Sequence, residues 1–282
     1  MKQEKFETII EPKNGWFDFH LKEVIQYRDL IFLLVKRTFT AQYKQTILGP
    51  TWAIIQPFLT TVVFTIVFGS LAGLSTESIP PFVFYLCGTV AWNYFSGSLT
   101  TISTTFTTNS AILGKVYFPR LIMPISAVIT QIISFFIQFA FFLIFLIGYL
   151  MIGTTKIQPN IYMLLFPVLL LEMALLGLGF GIIISSLTTK YRDLAMLVGF
   201  GVQLWMYATP VAYSVSIIPE KWLWVYMLNP MSPIIETFRY AFLGSGQFHV
   251  QYFVLSWIIT MGVTFIGILL FSRVEKTFMD TV

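Results

Sequence analysis

Charge is what this 282-residue sequence has least of: Asp, Glu, Lys and Arg together make up 11% of it. A soluble domain devotes about a quarter of its residues to these four, so a water-facing surface over the whole chain is excluded. Its one cysteine, Cys87, lies in an apolar stretch. That rules out an intrachain disulfide and leaves the redox compartment open. The formal net charge of +4 is carried by Lys and Arg at the ends of apolar segments, with no single basic face, so no nucleic-acid partner is expected. Acidic clusters are missing too: Glu77 and Glu220 stand alone. Neither a metal site nor a catalytic residue is expected on the chain.

Apolar length is what remains. Hydrophobic residues are 56% of the chain and its mean hydropathy is +0.79, which points to a polytopic membrane protein. A helix needs about 20 apolar residues to cross ~30 Å of hydrocarbon. Six segments qualify: 52–74, 82–106, 124–152, 161–187, 194–213 and 252–272. With the N-terminus inside, 14 of the 17 Lys and Arg residues are cytoplasmic and only Lys156, Lys221 and Arg239 lie outside, so both termini are expected in the cytoplasm. Residues 1–18 mix Lys with Glu and offer no apolar core before a small-residue cleavage site, so no cleaved signal peptide is expected. The expected organisation is a cytoplasmic N-terminal segment over 1–50, a transmembrane domain over 51–272 and a cytoplasmic tail over 273–282.

Between Leu21 and Lys44, polar residues recur every three to four positions, with Val24, Ile25, Ile31, Phe32, Val35 and Phe39 on the other side. The pattern predicts an amphipathic helix in the cytoplasmic headgroup layer, either a simple anchor or a lever joined to the first span. Gly49-Pro50, preceded by Tyr43 and Leu48, reads as the hinge where the chain turns into the bilayer.

Two connections are unusually apolar. The first, 110–123, holds Lys115, Val116, Tyr117, Phe118, Pro119 and Arg120. It predicts a compact helix or turn projecting apolar side chains toward something on the cytoplasmic side; the alternative seats both aromatics in the headgroup belt. The second, 214–250, holds Trp222, Trp224 and Tyr226, then the turn signal Asn229-Pro230, then a short helix ending at Gly244. Two short, proline-interrupted helices fit a re-entrant hairpin, or a hairpin lying flat on the outer leaflet with the tryptophans as anchors. Glu236 and Arg239 lie one turn apart there and can pair.

Taken in order, several motifs resemble the permease subunits of ABC exporters for lipid-linked polysaccharides, the group that includes O-antigen, capsule and wall teichoic acid exporters. They are Gln42-Tyr43-Lys44 with Ile47-Leu48-Gly49-Pro50-Thr51-Trp52 and Gln56-Pro57, Lys115 through Arg120, Tyr191-Arg192-Asp193, and Asn229-Pro230 with Glu236, Arg239, Leu243 and Gly244. The resemblance covers nearly the whole chain. It implies an all-α membrane protein with six spans, an N-terminal interface helix and short re-entrant helices between spans five and six. It also implies that Leu48 and Gly49 lie near a cytoplasmic entrance, that Lys115 to Arg120 surround a coupling helix docked on an ATPase, and that Trp222 to Arg239 belong to external gate helices. Two permease copies with two ATPase copies follow, with ATP and Mg on the partner, an undecaprenyl-type lipid-linked glycan as cargo, and a place among the lipids of the cytoplasmic (inner) membrane.

Sugar rings stack on aromatics while their hydroxyls bond to Ser, Thr and Asn. Under the resemblance, Trp205, Tyr207 and the polar run from Asn93 to Asn109 are candidates for a glycan path; side-chain bonds back to the helix are the other reading. Glu172 is the one acid well inside a span, open to helix packing, a sugar contact or a proton relay. Gly177-x3-Gly181 and Gly69-x3-Gly73 permit close helix approach.

Nucleotide is expected elsewhere. No phosphate-cradling loop occurs: Gly114-Lys115 is followed by Val116 and has Asn109 where the first glycine belongs. An ion-driven secondary transporter would carry more paired intramembrane charge. Within the family, an exporter of a drug or small lipid is the alternative.

Overall fold

The computed structural model describes residues 21–44, 46–113, 115–116, 118–153, 156–188 and 193–281. Residues 1–20, Tyr117 and the Tyr191-Arg192 pair, on which some expectations fall, lie outside the described residues. Every regular element among those described is helical.

The amphipathic stretch forms two helices instead of the expected one. They are α1 (Leu21–Gln26) and α2 (Arg28–Tyr43), parted at Tyr27, whose φ of −89° and ψ of 22° leave the helical region. Asp29 in the first turn of α2 favours a fresh helix start there. The second helix packs on α7 (Ile122–Ile152) and buries Leu34 and Val35, while Phe32 and Leu33 stay exposed. A 3-10 turn over Gly49–Thr51 then leads into α3 (Trp52–Phe64). Gly49 takes a φ of +53°, in the region glycine adopts without strain. Beyond α3 the chain widens into π-helix over Thr65–Leu71.

The central helix is α4 (Pro81–Ser103), started by Pro81 at its first position and buried along most of its length. Short turns α5 (Thr105–Thr108) and α6 (Ser110–Leu113) precede α7, which stops at Gly153 with a φ of +71°. Next come α8 (Phe166–Thr188), α9 (Leu194–Tyr207), α10 (Glu220–Met227), α11 (Met231–Leu243) and α12 (Val250–Thr281).

Four segments are long and apolar enough to cross a membrane: Gly49–Leu71, Ile122–Ile152, Ile161–Thr188 and Val250–Ser272. They match four of the six expected spans. Helix α4 has 23 residues but carries Asn93 and many hydroxyls. The segment expected over 194–213 stops at Tyr207 after 14 residues. Pro210 disfavours helix in the residue before it, and the chain turns through 208–211 instead.

Glycines of α8 set two close helix contacts. A Cβ on Gly177 would stand 2.9 Å from Ser98 Cβ, and one on Gly181 2.6 Å from Ile102 Cβ, so side chains of α4 pack directly on the α8 backbone. A Cβ on Gly179 would stand 2.9 Å from Thr264 Cα, so α8 and α12 meet backbone to backbone. Gly73 of the second spacing has nothing within 4 Å and serves a turn. Aromatic rings of α7 (Phe135, Phe139, Phe142), α8 (Phe166) and α11 (Phe238, Phe242) form a continuous cluster, stacked among Phe135, Phe139 and Phe166 and edge-on where Phe242 meets Phe139 and Phe142. Helix α11 is buried over Met231 to Arg239. Its last carbonyls are satisfied by protein: Gln158 N donates to Leu243 O and Asn160 N to Ala241 O, both at 3.1 Å.

Candidate functional site

Toward the end of the bundle that carries Lys115 and Arg120, polar residues recur on single helix faces. On α7, Gln131, Ser134 and Gln138 fall at i, i+3 and i+7; on α4, Asn93, Ser96, Gly97, Thr100 and Thr101 keep the same periodicity. The start of α3 contributes Trp52, Ala53 and Gln56, and the end of α2 contributes Gln42 and Tyr43, with Val202 of α9 opposite. They enclose a partly open cleft of about 410 Å³, a size within the ~300–1,000 Å³ of small-molecule sites.

No lining residue is charged. Asn93 Nδ2 donates to Gln138 Oε1 at 3.1 Å and Gln131 Nε2 to Thr101 Oγ1 at 3.1 Å, so two amide bridges join α4 to α7. Gln131 lies flat against α4 because residue 97 is glycine: a Cβ there would stand 3.0 Å from Gln131 Oε1. Ser134 Oγ is buried without a hydrogen-bond partner. Tyr43 and Trp52 bring aromatic faces, the first buried and the second half exposed. The cleft can donate and accept hydrogen bonds and stack on flat apolar surfaces. Among the described residues, no group of three His, Cys, Asp or Glu could hold a metal ion.

The structure sorts the residues singled out in the sequence. Tyr43 lines the cleft, Gly49 forms the turn beside it and Leu48 is exposed. Of the three path candidates only Asn93 lines it. Trp205 is wedged among Trp92, Phe95 and Phe180, with its indole N–H donated to Asn229 Oδ1 at 3.1 Å. Tyr207 is exposed outside the cleft, its carbonyl accepting from Tyr213 Oη. The hydroxyl run divides: Asn93, Ser96, Thr100 and Thr101 contribute to the cleft, Ser98 is buried outside it, and Ser103, Thr105 and Thr107 bond back to carbonyls one turn earlier.

In the 110–123 connection, Val116 is exposed but Phe118 is buried in the core. The expectation that its aromatics project outward is corrected for Phe118. Pro119 accepts from Ile122 N, forming the turn into α7 with Arg120 and Leu121. At the far end, α10 exposes Trp222 and Trp224 and half-buries Tyr226. Asn229 is a junction: besides accepting from Trp205 it donates to Thr209 Oγ1 at 2.8 Å, with Pro230 beside it. The expected Glu236–Arg239 ion pair is not formed directly. Arg239 donates to the carbonyls of Tyr213 (3.0 Å) and Val211 (2.5 Å) and lies 3.9 Å from the Phe84 ring centroid, while Glu236 accepts from Gln247 N at 3.4 Å. Nearby, Glu77 accepts from Ser214 Oγ and Gly246 N; Glu77 and Ser78 both have positive φ, 55° and 67°. Glu172 faces α12, where Ser256 Oγ donates to it at 2.6 Å, well away from the cleft lining.

The glutamines were missed from sequence. Gln131 and Gln138, two turns apart within an apolar helix and with Ser134 between them, were the signal that a polar face exists there.

The chain is similar to O-antigen export system permease proteins RfbA. One from Klebsiella pneumoniae is 27% identical over 253 residues, covering 89% of this chain and 94% of the relative. One from Myxococcus xanthus is 29% identical over 225 residues, covering 79% and 83%. The model of the ABC-2 type transporter family matches residues 29–243, from α2 through α11. With that match spanning both the cleft and the buried helix α11, the chain belongs to the ABC-2 type transporter family.

Proposed function

We propose that this chain is the permease of an ATP-driven exporter that moves a lipid-linked, O-antigen-like polysaccharide out across the cytoplasmic membrane. The observation that carries the reading is the near end-to-end match to permeases of that name, 94% of the relative's length in one case. A drug or small-lipid exporter would be favoured by a wholly apolar cleft, whereas Gln42, Gln56, Asn93, Gln131 and Gln138 place five amides in this one beside Ala53, Pro57 and Val202.

Six spans belong to this reading: α4 crosses with its polar face turned inward, and α9 completes its crossing through the turn after Tyr207. Helices α10 and α11 dip in from the outside, supported by the protein partners of the α11 carbonyls. The end carrying Lys115 and Arg120 is cytoplasmic, as are both termini. Two copies pair, in keeping with the unburied apolar face of α9, where Met196, Leu197, Phe200 and Leu204 are exposed. Two ATPase chains bind ATP and Mg and push on 115–120; Phe118, seated in the core, passes the movement to α7 and to the Gly49 turn. Helix α2 lies in the headgroup layer with Phe32 and Leu33 toward lipid.

The test is deletion of this chain in its own cell, with complementation. Loss of surface polysaccharide and retention of lipid-linked glycan inside are expected; unchanged surface glycan would refute the reading.

A further inference from the structure

We infer that the cleft grips uncharged sugar units through its amides and turns away anionic ones. This rests on the export reading and specifies which chemistry of the cargo the permease itself recognises.

The lining is matched to neutral groups that both donate and accept. Once the two amide bridges are made, Asn93 Oδ1 remains as an acceptor and Gln138 Nε2 as a donor. Gln42 and Gln56 line the mouth with their amides unspent among the described residues. Sugar hydroxyls and N-acetyl groups present the same pairing without charge. Deeper in, Ser134 is 7% exposed and its hydroxyl has no partner. A buried hydroxyl left unpaired is unfavourable, and a sugar hydroxyl satisfies it once the Ser134 side chain turns from its sealed position toward the cleft it lines. Trp52, 49% exposed, offers a ring face to the apolar side of a pyranose.

The same lining disfavours anions. A carboxylate or phosphate would shed water there and meet no cation, since neither Lys nor Arg contributes to the wall. Lys44 lies next to Tyr43 in sequence, is exposed, and stands outside the lining. The charged head of a lipid carrier therefore stays out of the cleft while the neutral glycan occupies it. Width is set by Gly97, because any side chain there displaces Gln131 into the space.

The experiment titrates the full chain, assembled with its ATPase partner in lipid nanodiscs, with the neutral, fully N-acetylated chitotriose and separately with trigalacturonate. The signal is the share of the tryptophan fluorescence that Trp52→Phe removes. A saturable change with chitotriose and none with trigalacturonate is expected. Ser134→Ala, which deletes only an unpartnered hydroxyl, and Gln138→Leu should each weaken chitotriose at least fivefold, and Gly97→Ala should weaken it as well. Gln251→Leu, an exposed glutamine at the start of α12 outside the cleft, should leave it unchanged. Equal response to both sugars, no response to chitotriose, or full binding in Ser134→Ala and Gln138→Leu would overturn the inference. If the complemented cell still exports polysaccharide in that event, the cleft assignment falls and the export reading stands; if deletion of the chain leaves export intact, the export reading itself falls.

Discussion

The guanidinium of Arg239 occupies the place where Gly88 lacks a side chain: a Cβ on Gly88 would stand 2.7 Å from Arg239 Nη2 and 3.0 Å from the Val211 carbonyl oxygen. One buried cation thereby joins α4, α11 and the connector that follows α9. Gly88→Ala should force the guanidinium off its two carbonyls and lower stability by about 1–3 kcal/mol. Arg239→Lys should do the same, because a single ammonium cannot reproduce the planar fork over Phe84. Thermal unfolding of the purified protein reads both, and an unchanged Tm in the two variants would contradict this account.

Glu172→Gln should export like the parent but unfold at a somewhat lower temperature. The amide oxygen still accepts from Ser256, but the amide nitrogen takes the place of Glu172 Oε2, which is buried with no hydrogen-bond partner, so its N–H donors are left unmatched. Loss of export well beyond that small loss of stability would favour the proton relay.

Trp205→Phe keeps the ring among Trp92, Phe95 and Phe180 but removes the N–H that reaches Asn229. A loss of about 1 kcal/mol is expected. Asn229→Leu removes the whole junction and leaves the indole N–H of Trp205 and the backbone N–H of Met231 unmatched, while Thr209 Oγ1 still donates to Trp205 O, so it should cost clearly more. A chemical-denaturation series in one detergent ranks them; equal stability of both variants would show that the junction is dispensable.

Gly181→Ala and Gly148→Ala make a matched pair of helix glycines. The first Cβ would stand 2.6 Å from Ile102 Cβ, while the second meets nothing within 4 Å. Gly181→Ala should destabilise by about 1–3 kcal/mol, whereas Gly148→Ala should stabilise by roughly 0.5–1 kcal/mol through helix propensity. Similar effects of one sign would mean that α4 and α8 are less closely packed than described.

What the sequence made legible was whatever depended on a run of one kind of residue. The spans at Gly49–Leu71, Ile122–Ile152, Ile161–Thr188 and Val250–Ser272 announce themselves because apolar length alone marks them. Partnership was not legible. Trp205 and Asn93 looked alike as sugar contacts, yet one is occupied by Asn229 from 24 residues away and the other opens into the cleft. Glu236 and Arg239, one turn apart, read as a pair because helix periodicity joins them; two carbonyls and a ring from elsewhere in the chain take the guanidinium instead. Phe118 read as outward-facing because its loop is short, and only the fold supplies the core that receives it.

The turn at Glu77 and Ser78 has a further consequence. Its carboxylate takes hydrogen bonds from groups 137 and 169 residues further along the chain, and both turn residues sit in a left-handed conformation that costs on the order of 1–2 kcal/mol each outside glycine. Three distant stretches thus share one fastening held under tension. Lifting any of them away from Glu77 breaks a hydrogen bond and lets the turn relax, which loosens the hold on the others. One carboxylate thus ties the 77–78 turn to Ser214 and to Gly246, and loss of it unfastens both.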